Sequence, residues 1–271
     1  MVGFAGAGLG AWANVRAKRI ENRSAHDLVE LRSRLDEIKE VRAEARSKQA
    51  RAEQLVSRYR EPLLSASFEL QSKIFNIVQR KFLLAFWERS NDYARDHTLY
   101  VFAQYLCWRE ILRQEVQFLD LGDTRASAEL NQLLEAVTEA LSTDRLSPTF
   151  NLFRGEQRAI GEKMMVRLSG VPEEVARHEC LGYAAFVESL RQPDFARWFR
   201  GLTADVQALA TSANPDYGRL SLLQNALVDL IERLDTSRGA RFPDSLRKRL
   251  VLSTDLALAR GAAAPTTQAT R

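Results

Sequence analysis

Arginine and carboxylate side chains recur together at helical spacing in two short stretches of this chain. Arg109, Glu110, Arg113 and Glu115 fall within residues 107–120, and Arg154, Glu156, Gln157, Arg158 and Glu162 fall within residues 150–162. In the second stretch Phe153, Ile160 and Met164 mark an inward stripe, which brings Glu156 or Gln157 close to it. A carboxylate on a half-apolar helix face must be paired, and Arg109, Arg113, Arg154 and Arg158 are the available partners for Glu115 or Glu156. Such a set either fixes helix register as an internal salt-bridge network or lines a polar inter-helix pocket for an anionic or amide-bearing ligand. Structural ion pairs imitate active sites, so the network is the expected outcome and the pocket the alternative. Gly155 and Gly161 each cost a helix about 1 kcal/mol relative to alanine, which points to close helix approach or ligand access.

Other chemistries lack their residues. A ferritin-like di-metal site needs Glu-x-x-His on two helices, and Glu174 to His178 is one residue too long. Gly6, Gly8 and Gly10 follow no strand and lack the Lys-Ser/Thr of a phosphate loop. No Gly-x-Ser-x-Gly elbow occurs. Two cysteines, Cys107 and Cys180, and three scattered histidines supply no zinc pattern, and the Glu174, His178, Cys180 group reads as surface helix chemistry. Both cysteines are expected inside apolar helical stretches as free thiols. No metal, cofactor or catalytic residue is expected, and the protein reads as a non-enzyme.

The elements that would position these groups are helices. Glycine and proline are sparse, at 13 and 7 residues. Prolines at 172, 193, 215 and 243 are each followed by an acid, and Ser147-Pro148 is a further break. Proline then acid is a helix-start signature, because the missing N–H is free there and the carboxylate meets the positive dipole end. Apolar residues at 3.6 spacing predict helices over Leu63–Trp87, Tyr93–Leu119, Asp123–Leu141 and Phe150–Leu168, then near 172–191, 193–211, 215–235 and 243–260. Arg60-Glu61-Pro62 is expected to break a preceding helix. The aromatic stripe of Phe82, Phe86, Tyr100 and Tyr105 reads as core. No period-two stretch predicts a sheet. The expected fold is all-α: a long charged N-terminal helix and a bundle of about seven to eight helices, with the main core in the aromatic-rich first half.

The N-terminus has its own character. Residues 1–60 hold 13 Lys/Arg and 8 Asp/Glu, while the remainder holds 26 and 27, so the net +4 resides in the N-terminal arm. Residues 1–15 carry no ionisable side chain and lead into a basic collar of Arg16, Lys18, Arg19 and Arg23, as in chains tied to a membrane surface. Fifteen helical residues reach about 22 Å, short of the roughly 30 Å hydrocarbon core. Residues 1–19 therefore read as an apolar stub with its collar, a truncated anchor or a short interfacial helix. Residues 20–60 read as a charged stalk, about 57 Å long from Ile20 to Ser57 if straight. Residues 61–260 form the bundle and 261–271 a disordered tail. Leu28, Leu31, Leu35 and Ile38 keep heptad spacing before Arg42 interrupts it, which suits a short coiled coil and a dimer, or a helix packed on its own domain. Nucleic-acid binding through the arm is disfavoured, because its bases are interleaved with acids.

The strings Tyr59-Arg60-Glu61-Pro62-Leu63-Leu64, Phe68-Glu69-Leu70-Gln71-Ser72, Trp108-x-Glu110-Ile111-Leu112-Arg113-x-Glu115 and Phe153-Arg154-Gly155-Glu156-Gln157-Arg158 carry a resemblance. Over roughly residues 10–168 the chain resembles a bacterial family, with plant relatives, of membrane-tethered helical proteins of unknown function. The resemblance implies a membrane helix and charged stalk ahead of the domain, and no activity. The expectation is a scaffold or regulatory protein at the inner face of the plasma membrane with its body in the cytoplasm, acting through protein contacts or self-association of the stalk. A soluble ligand-binding or enzymatic helical domain is the alternative.

Overall fold

A computed structural model describes residues 5–117, 125–167, 178–235 and 242–250; within these, the side chains of residues 5–29, 51–53, 55, 56, 116, 117, 125–127 and 244 are not described. The chain divides into two units, Met1–Arg51 and Ala52–Arg271. The stub's first residues, Asp123 as a cap, Glu174 and the tail lie outside the described residues, as do the side chains of the collar. Eight α-helices occur among the described residues, and the protein is an all-α bundle.

Helix α1 covers Ala5–Val78 with Pro62 inside it. The break expected at 60–62 does not occur. Proline forfeits one hydrogen bond and costs a helix about 3 kcal/mol. Tyr59, Leu63, Leu64 and Leu70 on either side of it are buried, each worth about 1.5–3 kcal/mol, and this outweighs the loss. The helix ends before the expected Trp87. Gln79 and Arg80 donate to the Phe75 and Asn76 carbonyls, and Lys81, in the left-handed region at φ 53°, turns the chain.

Helix α2, Phe82–Gln117, has non-helical geometry at Ser90. It packs against α4 (Arg154–Met164) and α7 (Arg200–Thr211), while α3 (Arg125–Ser142) packs against α8 (Gly218–Leu234). The core runs through both halves of the bundle: Leu70, Ile74, Phe102, Leu106 and Ile111 join Leu134, Val137, Leu202, Leu227 and Ile231. Helices α5 (Tyr183–Ser189) and α6 (Pro193–Ala196) bring Phe186 and Phe195 to this core, and a 3-10 turn at Arg197–Phe199 brings Phe199. Pro193 occupies the first turn of α6, as its sequence context predicts.

Four further expectations are corrected. A two-stranded antiparallel ribbon joins β1, Met165–Arg167, to β2, His178–Cys180, with Met165 opposite Cys180. Three-residue strands are too short for alternation to announce them. Cys180 and His178 therefore sit on a strand, not on a helix, and the helix expected over 150–168 is confined to α4. The segment expected as a helix over 243–260 forms a 3-10 turn, Asp244–Leu246, and then irregular backbone to residue 250. Side-chain amides replace the helical bonds there. Asn225 donates to the Leu250 carbonyl and accepts from its N–H, each at 2.9 Å, and Gln224 donates to the Lys248 carbonyl.

Candidate functional site

The two polar stretches meet where α2, α3 and α4 pack, and their groups pair with one another and with residues between them. Glu110 is 3% exposed and accepts from Arg113 Nε at 2.7 Å and Gln114 Nε2 at 2.9 Å. Burial pushes its carboxyl upward, but the bonds from Arg113 and Gln114 and the charges of Arg113 and Arg158 outweigh burial and hold it below the usual range. Arg109 pairs with Glu135 of α3 at 2.9 Å, and Arg154 reaches the other oxygen of the same carboxylate at 2.7 Å and Glu139 at 3.6 Å. Glu135, bridging both arginines, is a member that the two sequence stretches did not contain. Its place one helix away on α3 gave no local signal.

Gln157 is buried and donates to the Thr138 and Leu152 carbonyls, closing α4 onto α3. Glu156 is exposed and accepts from the Phe153 N–H at 2.9 Å, so it caps α4 instead of pairing with an arginine. Glu115 lies 3.8 Å from His178 Nδ1, and among the described residues it pairs with no arginine. Arg158 and Glu162 are exposed and act on Glu110 and Arg113 through charge. Phe153 is 60% exposed, against its expected inward place, because it stands before the helix with extended backbone. Ile160 and Met164 are fully buried. Gly161 marks a close approach: a Cβ there would lie 2.7 Å from the Leu106 carbonyl oxygen. Gly155 meets nothing within 4 Å.

A second cluster involves α1, α2 and α5. Lys73 is buried, with its ammonium 4.0 Å from the centre of the Phe82 ring, and burial lowers its pKa to about 8. Burial first, and then the Lys73 charge, lower His97 to about 4. The His97 ring lies 5.3 Å from Tyr93 and 5.9 Å from Tyr183, which in turn stands edge-on to Tyr100. Cys107 is buried and Cys180 partly so; the neighbouring Cys180 thiol and burial push the Cys107 thiol up, away from nucleophilic thiolate chemistry. Sequence spacing missed this cluster because its members come from separate elements.

The third feature lies on α1. Leu31, Leu35, Ile38 and Val41 are 55%, 47%, 47% and 62% exposed on a helix whose other side chains over 30–50 are also exposed. The ion pairs Arg34–Glu30, Lys39–Asp36 and Lys48–Glu44 run along the same surface at 2.6, 2.9 and 3.0 Å. Among the described residues no helix is long and apolar enough to cross a membrane. Comparisons with protein-family models, curated proteins and solved structures give no match.

Proposed function

We propose that the protein is a non-catalytic helical scaffold or regulatory protein that works through protein contacts, docking a partner along α1 at a membrane surface. The observation that carries the reading is the open apolar stripe of Leu31, Leu35, Ile38 and Val41. Large aliphatic side chains at heptad spacing on a charged helix gain by covering one another, and nothing in this stretch of α1 covers them. The pairing of Glu110 with Arg113, of Arg109 and Arg154 with Glu135, and of Gln157 with backbone carbonyls supports the same reading, since these groups already have partners within the bundle. Arg16, Lys18, Arg19 and Arg23 supply the contact with the anionic inner face of the membrane.

Two measurements test it. The full-length chain should pellet with vesicles rich in phosphatidylserine and remain in solution when Arg16, Lys18, Arg19 and Arg23 are all changed to glutamate. A chain indifferent to such vesicles sinks the membrane part. Amphipathic helical peptides should bind the full chain and lose binding in a Leu31→Asp, Leu35→Asp, Ile38→Asp variant; no binding by any of them sinks the docking part.

A further inference from the structure

We infer that the occupant of the α1 stripe is a helix flanked by acidic residues and not a second copy of this chain; this rests on the docking reading above. With Leu31 and Ile38 at the d positions of a heptad and Leu35 at a, the positions flanking the seam are 32, 39 and 46 on one side and 34, 41 and 48 on the other. These are Arg32, Lys39 and Arg46, and Arg34, Val41 and Lys48. Five of the six are basic and none is acidic. The acids of the same stretch, Glu30, Asp36, Glu37, Glu40 and Glu44, occupy the remaining positions, away from the seam.

That distribution decides between partners. In a parallel pair of identical helices Arg34 of one meets Lys39 of the other, against one favourable contact of Asp27 with Arg32, and in an antiparallel pair each basic flank meets its own kind. Both self-pairings bring like charges together along a seam of only a few apolar layers. Arg42 falls at the next a position, where a parallel second copy would set two guanidinium groups face to face across the core and an antiparallel one would bury each against an apolar d layer. A helix with Glu or Asp at its flanks and an acid opposite Arg42 turns every one of these contacts favourable. The ion pairs that α1 makes within itself do not compete strongly: Arg34, Lys39 and Lys48 and their acids are all more than half exposed, the weakest class of pair. Over residues 30–42 the large apolar residues fall at a and d with Val41 alone beside them, which matches the narrow seam of a coiled coil and not the broader face of a helix lying in lipid.

The test uses the full-length chain and two synthetic three-heptad peptides with Leu at a and d, one carrying Glu and the other Lys at e and g. Fluorescence anisotropy at low salt should show the Glu peptide binding at least about tenfold tighter than the Lys peptide, with the preference shrinking as salt rises. Leu35→Asp should abolish binding, and the combined Arg32→Glu, Arg34→Glu, Lys39→Glu change should reverse the preference. That reversal is informative without disturbing the helix. Equal binding of both peptides, lost with Leu35→Asp, overturns the acidic partner and leaves the docking reading standing. A chain that binds neither peptide and sediments as a dimer dissociated by Leu35→Asp assigns the stripe to a second copy. Binding through the stripe to phosphatidylserine vesicles in place of either peptide assigns it to lipid; both results overturn the inference. If nothing binds and the chain stays monomeric, the docking reading falls with it.

Discussion

Gly161 of α4 lies directly on Glu110 of α2: a Cβ added at 161 would stand 2.7 Å from the Glu110 Cβ and 2.7 Å from the Leu106 carbonyl oxygen. This contact lets two helices approach while one of them buries a carboxylate. Alanine at 161 recovers about 1 kcal/mol of helix propensity. The overlap it creates with backbone costs about 1–3 kcal/mol, because neither Leu106 nor the Glu110 stem can swing away. The expected outcome is a net loss of up to about 2 kcal/mol, read as a lower urea midpoint with unchanged slope. Gly155→Ala, six residues earlier and meeting nothing within 4 Å, should instead be neutral or gain up to about 1 kcal/mol. Equal behaviour of the two variants sinks the explanation.

Arg219 should be among the most sensitive positions in the bundle. It is 2% exposed and donates to four backbone carbonyls, those of Ala140, Thr143, Ser147 and Thr149, at 2.8–3.1 Å. One guanidinium thus ties the end of α3 and the following turn to α8. The turn needs tying. Phe150, fully buried, holds φ at 58°, a left-handed conformation that a bulky residue pays about 1–3 kcal/mol to adopt, and its N–H is anchored by Asp205 at 2.8 Å. Arg219→Met leaves those carbonyls without their donor and should destabilise the fold by about 3–5 kcal/mol. Thermal melting of the variant checks this; a midpoint within a few degrees of the parent refutes it.

Periodicity made the bundle legible because a helix that buries one face must repeat its apolar residues. Leu70, Ile74 and Ile77, and Leu130, Leu134, Val137 and Leu141, went where their spacing put them, whereas Phe86 of the expected core stripe is 40% exposed. The failures have distinct physical causes. Pro62 was overridden by burial of its neighbours, and the turn at Lys81 depends on backbone geometry that no residue type there announces. In the polar stretches the sequence revealed which groups needed partners without revealing who they were. Glu110 found Arg113 three residues away, whereas Arg109 and Arg154 converged on Glu135. Nearest-in-sequence pairing works only along one helix. Arg219 and Lys73 were passed over because a lone cation in an amphipathic helix looks solvated until the packing is known.

The segment after α8 should detach selectively. Asn225 makes both hydrogen bonds to the Leu250 backbone, and Gln224 bonds Lys248 and Gln71 at once. Asn225→Asp keeps the acceptor and removes the donor, leaving a carboxylate facing a carbonyl at a buried position. Hydrogen exchange at the Leu250 amide should accelerate at least about tenfold, and trypsin should cut earlier after Arg247, Lys248 or Arg249. Protection within α8 should persist. Uniform loss of protection through α8 contradicts a local tether.

Lys73 and His97 make stability depend on pH in two separate windows. The Lys73 amine titrates near 8 in the fold against 10.5 in an unfolded chain, so between these values the unfolded state holds more protons and stability rises with pH. Below pH 8 the lysine is charged in both states and the full penalty of burying it is present. His97 titrates near 4 in the fold against 6.5 unfolded, so stability falls as pH drops from 6.5 towards 4. Lys73→Met removes the buried charge while giving up its contact with the Phe82 ring, for a net gain of about 1–2 kcal/mol at pH 7 after allowance for solvent screening. The gain should vanish towards pH 10.5. The same change removes a charge that depresses His97, so the imidazole should titrate higher in the variant, as followed by its ring proton shifts. Urea midpoints of parent and variant across both windows decide the matter: a constant difference from pH 7 to 10.5, or an unmoved His97, overturns the assignment of Lys73 as a buried cation held against an aromatic ring.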